Sequence, residues 1–312
     1  VSGIGVVTNP HAGANRKVGR AREKSLAGAV GAAGFVREPA TLDELDSVAR
    51  ELYERRVAVV AVCGGDGSYF RTLTAIGNVY GSEPLPALLP LRGGSMNTIA
   101  RAVGHRRGTP EEVLAAVAAR MESGAELELL QRQLIRINGE SLGFLVGCGA
   151  VVRFLQSYYA RPGRGPVAAA RVTAAAVVSA VTGIGMTRSW FASFAAEAKC
   201  DGERLKFAEY NALFAASIPE FGLGFRVAYL ADRKPGYFQV LAGRPTAGEL
   251  ARRLPHMKRG WPMRLDSLYD NIARDVAVEF REPTPYMIDG DVLEPVRSLS
   301  LTAGPQIDIV AA

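Results

Sequence analysis

The rhythm of apolar and polar positions changes once along the chain. From Gly3 to about Ser123, short apolar runs alternate with stretches of helical periodicity. Ile4-Gly5-Val6-Val7 predicts a strand, followed by a polar turn and a helix from about Val18 to Ala33. A short strand at Phe35-Val36 precedes a helix capped near Thr41, whose Asp43, Glu44 and Asp46 suit its positive N-terminal end. Val57 to Val62 predicts the next strand, Tyr69 to Asn78 a helix, and Leu85 to Leu89 another strand. The unbroken Val-rich run fits a strand covered on both faces. Strands alternating with helices predict a doubly wound parallel sheet, on which ligands bind at the carboxyl ends of the strands.

Beyond Glu126 the alternation stops. Gln133–Ile137, Leu142–Val146, Trp190–Ala196, Ala208–Ala216, Phe225–Leu230 and Tyr237–Leu241 read as strands, with one intervening helix near Pro166–Val181. That pattern predicts a β-rich antiparallel sandwich. Two domains follow, residues 1–125 (α/β) and 126–305 (β-rich), which suits a chain of 312 residues. The last strand, about Gln306 to Val310, is a candidate to return to the first domain.

Composition narrows the picture. With 48% hydrophobic and 22% charged residues the chain can bury an ordinary core. Its 37 basic against 31 acidic side chains leave +6, which suits an anionic ligand or membrane surface. No basic stripe interleaved with aromatics is present, so nucleic acid is not an expected partner. Cys63, Cys148 and Cys200 are far apart, without metal-ligand spacing, and predict a reducing compartment. His11, His105 and His256 are equally isolated. The chain enters a strand almost at once, which predicts no signal peptide, and its longest uncharged stretch, Val172 to Thr187, is too short to span a bilayer. A soluble cytoplasmic protein is expected, touching the inner face of a membrane.

The chemistry concentrates where strands end. Val59-Val60-Ala61-Val62-Cys63 stops at Gly64-Gly65-Asp66-Gly67-Ser68, three glycines with one carboxylate and one hydroxyl. Backbone N–H groups of such a loop, followed by a helix start near Tyr69, make a cradle for phosphate oxygens. Asp66 in that cradle would be repelled by its ligand unless it holds a metal ion or accepts a proton. Asn9-Pro10-His11-Ala12-Gly13, with Arg16 and Lys17 beyond, ends the first strand, and Arg92-Gly93-Gly94-Ser95-Met96-Asn97 follows Pro90-Leu91 at a later one. Met287-Ile288-Asp289-Gly290-Asp291 stands near the C-terminus. Taken singly, Asn9-Pro10 is a common turn, Arg16-Lys17 a solvated helix end, and Asp289-Gly290 a hairpin signal. The first three loops should converge on one rim of the sheet.

In their order these motifs resemble the diacylglycerol kinase catalytic-domain family, which includes bacterial lipid kinases and the sphingosine kinases. The family pattern is Asn-Pro-x-x-Gly, Gly-Gly-Asp-Gly-Thr, Gly-Thr-x-Asn followed by Ala-Arg, and a late Asp-Gly-Glu. It falls on Asn9 to Gly13, Gly64 to Ser68, Gly94 to Asn97 with Ala100-Arg101, and Asp289 to Asp291. Ser68 and Ser95 stand for Thr, and Arg92-Gly93 stretches the third motif. Thr98 stands where Asp is common, and Asp291 replaces Glu. A structural magnesium site of some members is expected to be lost, because Asp232 matches one ligand and Pro235 replaces the second.

The resemblance implies ATP-dependent, Mg²⁺-dependent phosphorylation of a lipid hydroxyl. Gly64, Gly65 and Gly67 would hold ATP phosphates with Ser68. Asn9 and Gly13 would line the nucleotide pocket, Arg16 would contact phosphate, and Gly94, Ser95 and Asn97 would complete the site. Asp66 and Asp289 would be the candidate catalytic bases, and Asp291 a metal or orienting partner beside the metal-binding Asp66. An NAD kinase-like enzyme shares the Gly-Gly-Asp-Gly loop and the two-domain plan, and a catalytically silent lipid- or nucleotide-binding protein is the alternative of another class. A Rossmann dehydrogenase lacks its G-x-G-x-x-G here. Arg252, Arg253, Lys258 and Arg259 beside Trp261, and the Tyr158–Arg164 segment, predict peripheral contact with an anionic membrane.

Overall fold

A computed structural model describes residues 3–13, 15, 19, 21–94, 97–104, 108–160, 187–221 and 224–311. The helix predicted near 166–181 lies outside them. Two compact units are present, one comprising Val1–Arg132, Glu140–Leu142 and Pro305–Ala312, the other Gln133–Gly139 and Gly143–Gly304.

In the first unit the Val-rich runs become parallel strands: β1 (Ile4–Thr8), β2 (Gly34–Arg37), β3 (Val59–Gly64) and β4 (Ala87–Arg92). β1 lies between β2 and β3, with Ile4 opposite both Gly34 and Val59, and β4 follows β3 with Val59 opposite Ala87. The end of the final strand joins alongside β4, Ile309 opposite Leu88. All six residues of β3 are buried because both faces are covered. On one face Ile4, Val6, Val59, Ala61 and Leu89 share a core with Leu26 and Val30 of α1 (Ala21–Val30) and Leu114 and Val117 of α5 (Pro110–Glu122). On the other, a side chain at Gly5 would collide with Leu52 of α2 (Leu42–Glu54), which packs on α3 (Asp66–Tyr80). Each Val or Leu so buried contributes about 1.5–3 kcal/mol relative to exposure.

Local signals set the helix ends. Thr41 caps α2 by accepting from the Glu44 N–H at 3.2 Å, and Thr109 with Glu112 forms a reciprocal capping box on α5. Glu111 ties α5 to α1, accepting from Arg22 at 2.5 Å and the Ser25 hydroxyl at 2.6 Å. A short helix, α4 (Thr98–Ala102), follows β4.

The second unit is antiparallel and β-rich. β7 (Leu145–Gly149) pairs with β11 (Ala212–Ala216), β11 with β12 (Phe238–Gly243), and β12 with β13 (Leu268–Ala273). β14 (Asp275–Ile288) pairs with β7, with β8 (Phe194–Cys200) and with the final strand β15 (Asp291–Val310), to which it is joined by a tight hairpin. Short strands β9 (Glu203–Arg204) and β10 (Glu209–Tyr210) also belong to this unit, while β5 (Leu129–Ile137) and β6 (Ser141–Gly143) each carry residues of both units.

Several expectations for this unit are corrected. Trp190 ends a helical turn, α7 (Thr187–Trp190), and the strand starts only at Phe194. Phe225–Leu230 alternates like a strand but is not one, because its N–H groups go elsewhere: Arg226 to the Met257 carbonyl, Ala228 to that of Pro219, and Leu230 to the Gln239 side chain. Helices α6 (Ala150–Tyr159), α8 (Ala247–Arg252) and α9 (Leu254–Arg259) were not expected. The signal for α8 is a second capping box, Thr246 with Glu249.

All three cysteines are buried and free. Burial pushes the Cys63 thiol up to about 11, and those of Cys148 and Cys200 to about 12. Among the described residues no helix is long and apolar enough to cross a membrane.

Candidate active site

Parallel pairing of β1, β3 and β4 puts their carboxyl ends on one edge of the first unit's sheet, with Thr8 opposite Cys63 and Gly64 opposite Arg92. The three motif loops therefore leave the sheet side by side. Backbone hydrogen bonds lock them together, from the Asn9 N–H to the Cys63 carbonyl at 3.0 Å and from the Gly93 N–H to the Gly64 carbonyl at 3.1 Å.

The helix after β3 starts at Asp66, three residues before its predicted start at Tyr69. Gly65 is its N-cap in an extended conformation, and Asp66, Gly67 and Ser68 form the first turn. The motif is thus a helix N-terminus, where the macrodipole favours an anion, rather than a free loop.

The glycines divide by task. A Cβ on Gly64 would collide with the Ser68 side chain, and one on Gly94 with the Gly65 backbone. One on Gly93 would stand 2.8 Å from the Gly64 nitrogen. Gly93 and Gly94 are required by the close approach of loop to loop, and Gly64 by Ser68 in the first turn of the helix that follows it. A Cβ on Gly65 would meet nothing nearer than the Gly94 Cα at 3.5 Å.

Polar side chains complete the cluster. Asn9 donates to the Ser68 hydroxyl at 2.9 Å and accepts from the His11 N–H at 2.9 Å. The half-buried Asp66 accepts from the N–H groups of Thr98 and Ile99, at 3.1 and 3.2 Å, and so caps α4 across the two loops. Asn97, left-handed at φ 51°, closes a reciprocal pair with Gly94: its amide oxygen accepts from the Gly94 N–H at 2.9 Å, and its amide donates to the Gly94 carbonyl at 3.0 Å. Gly13 lies in the turn beyond β1. Arg16 and Ser95 lie outside the described residues.

Asn15 was not anticipated. Fully buried, it donates to the carbonyls of Cys63 at 2.8 Å and Asn9 at 2.9 Å, riveting the first loop to the end of β3. Its signal was a small amide where the chain leaves a Gly turn, a residue type able to bridge two backbones. Next to the cluster a cavity of about 350 Å³ is lined by Thr8, Asn9, Thr41, Leu45, Ser68 and Arg71.

In the second unit Asp289 and Gly290 are the two central residues of the β14–β15 hairpin, with φ of 46° and 96°. Two left-handed positions in a two-residue turn explain the Asp-Gly pair. The Asp289 carboxylate is 0% exposed. One oxygen accepts from the N–H groups of Phe144 and Leu145 at 3.0 and 2.7 Å, and the other lies 3.1 Å from the Phe144 nitrogen. Asp289 is therefore a sealed clasp between the hairpin and the β6–β7 connection, not an open carboxylate. Asp291, two residues on, is half-exposed.

The first unit is a doubly wound α/β fold with a helix N-terminus and a carboxylate at its strand ends, where ligands of such sheets bind. Residues 3–128, most of the first unit, match the model of the diacylglycerol kinase catalytic domain. Among solved structures the chain is similar to a diacylglycerol kinase from Bacillus anthracis str. Sterne, at 14% identity and a TM-score of 0.64, covering 100% of this chain and 97% of that one. It is also similar to a candidate diacylglycerol kinase from the same organism, at 14% identity and a TM-score of 0.70, with the same coverage. At such identity these two likenesses speak for the fold alone. No curated protein matches the sequence at a significant level.

Proposed function

We propose that the protein is a lipid kinase that moves the γ-phosphoryl group of ATP to a lipid hydroxyl. The observation that carries this reading is the clasp of three loops at the strand ends, which aims a helix N-terminus and one half-buried carboxylate at the same edge. The first turn of α3 receives phosphate oxygens, with Asn9 holding the Ser68 hydroxyl in place. The neighbouring cavity, apolar at Leu45 and polar at Asn9 and Arg71, takes the nucleoside.

Asp66 is the carboxylate that meets the phosphates. Mg²⁺ usually binds one or two carboxylates and completes its shell with water and substrate phosphates, so a single half-buried Asp fits an ion that arrives with ATP. Bound there, the ion would supply charge neutralisation along the triphosphate. In the reaction the lipid oxygen forms a bond to Pγ, the bond from Pγ to the β–γ bridging oxygen breaks, and ADP leaves. The hydroxyl proton passes to a carboxylate, and Asp66 is assigned that role because it is only half-buried, whereas Asp289 is wholly buried as well as bonded to backbone N–H groups. Asp289 shapes the hairpin that presents Asp291.

Incubation with γ-labelled ATP, Mg²⁺ and a total-lipid extract tests the reading. Label in extractable lipid, absent with Asp66→Asn, is expected. Label in NAD instead would identify an NAD kinase-like enzyme, and ATP binding without any labelled product would identify a silent binder.

A further inference from the structure

The basic and aromatic residues near Trp261 do not form a simple solvated loop. Helix α9 ends at Gly260, left-handed at φ 69°, and the Trp261 N–H turns back to the His256 carbonyl at 2.9 Å. This turn projects the Trp261 indole, 50% exposed, from the surface. The Arg259 guanidinium stacks over it, 4.9 Å from the ring centre. A second segment, 225–233, packs against the same turn, with the Arg226 N–H bonded to the Met257 carbonyl at 2.7 Å. Between them runs a groove of about 520 Å³, lined by Arg226, Arg233, Arg259, Trp261, Tyr229 and Asp232.

The groove wall is held from below. The Tyr229 hydroxyl is 3.1 Å from a carboxylate oxygen of Asp270, whose other oxygen accepts from Gln239 at 2.5 Å. Gln239, wholly buried, also accepts from the Leu230 N–H at 2.7 Å. Three exposed guanidinium groups thus face one exposed carboxylate, Asp232, on a preformed rim. Arg forks match phosphate oxygens two at a time, and an exposed Trp prefers the boundary between headgroups and acyl chains.

We propose that this groove is a membrane-docking site, which seats the phosphodiester headgroup of an anionic phospholipid on Arg226, Arg233 and Arg259 while Trp261 enters the interface. The proposal takes its purpose from the lipid-kinase reading, but the binding needs no turnover. It also redraws the contact expected from sequence: Arg226 and Arg233, remote along the chain, join Arg259 and Trp261.

Co-sedimentation with phosphatidylcholine–phosphatidylglycerol vesicles tests it. Binding to these, and not to pure phosphatidylcholine, is expected, with a blue shift of Trp261 emission that Trp261→Phe abolishes. Trp190, only 6% exposed, remains as the internal reference. The double variant Arg226→Gln, Arg259→Gln should bind about 30-fold more weakly, since each charge near an anionic surface is worth roughly a factor of five. Its rate on acceptor lipid in detergent micelles should equal the wild-type rate, which separates this proposal from the catalytic one. Equal vesicle binding by the double variant, or an unshifted Trp261 emission, would overturn it. So would glycerol 3-phosphate displacing the vesicles, which would make the groove a site for a soluble anion.

Discussion

Asp66 and Asp289 are both aspartates beside glycine in the motifs that first suggested chemistry, and both spend their carboxylates on backbone N–H groups. Their surroundings differ. Asp66 sits in the first turn of a helix at an open sheet edge, half-buried, and caps a short neighbouring helix. Asp289 sits in a hairpin turn with no exposure at all and clasps the residues around Phe144. An acidic residue can meet a metal–nucleotide complex only if solvent and ligand can reach it. A sealed carboxylate saturated by N–H groups instead contributes stability, because removing it strands buried donors.

The largest expected effect lies on the open side of that contrast. Asp66→Asn should lower turnover by about 10²–10⁴-fold. The amide keeps one of the two acceptor oxygens that serve Thr98 and Ile99, at a site only half-buried, so the melting temperature should fall little. An unchanged rate would take Asp66 out of the chemistry. On the sealed side, Asp289→Ala should destabilise the fold by about 1–3 kcal/mol, more if the lost acceptor was charged, read as a lower urea midpoint. A midpoint equal to wild type would deny the clasp.

The glycines sharpen the same contrast within the first unit. Gly94→Ala should lower stability, because its Cβ has no room against Gly65. Gly65→Ala has room, and its φ of −91° suits alanine, so the protein should fold normally and bind ATP more weakly where phosphate approaches the backbone. Equal ATP affinity in folded Gly65→Ala would remove the cradle from the helix start.

The smallest effect is electrostatic. The Arg37 guanidinium hydrogen-bonded to Glu51 holds its carboxyl below the usual value, with Arg55 adding to the pull. A depressed carboxyl stabilises the fold above its unfolded pKa and loses that contribution as pH falls through the folded one. Acid titration below about pH 4.5 should therefore show a limb that Glu51→Gln flattens by ~0.5 kcal/mol, in keeping with a partly exposed pair. An identical limb in the variant would show that the pair contributes nothing.

Legibility in the sequence followed the range of the interactions. The strand at Val59–Gly64, the Thr41 cap and the Asp289-Gly290 hairpin are written locally, in covered faces, a hydroxyl before a helix and a turn dipeptide. Segment 225–230 misled because its N–H groups find partners at Pro219, Gln239 and Met257 rather than in a neighbouring strand. The burial of Asp289 depends on Phe144 and Leu145, 145 and 144 residues away, and no periodicity encodes that meeting. Asn15 was illegible for the same reason, since its role is set by the Cys63 carbonyl. The glycines were read as a cradle for phosphate, whereas Gly93 and Gly94 first make room for the Gly64–Gly65 backbone, and Gly64 for Ser68.

The most direct measurement is a paired one: initial rates of label transfer from ATP to lipid, with melting curves, for Asp66→Asn and Asp289→Asn in one series. The roles assigned to the open and the sealed carboxylate predict a slow, fully folded Asp66→Asn and an Asp289→Asn whose rate per folded molecule stays near wild type while its melting temperature falls. An Asp289→Asn protein that melts like wild type and is as slow as Asp66→Asn would contradict them and make the buried aspartate the catalytic base.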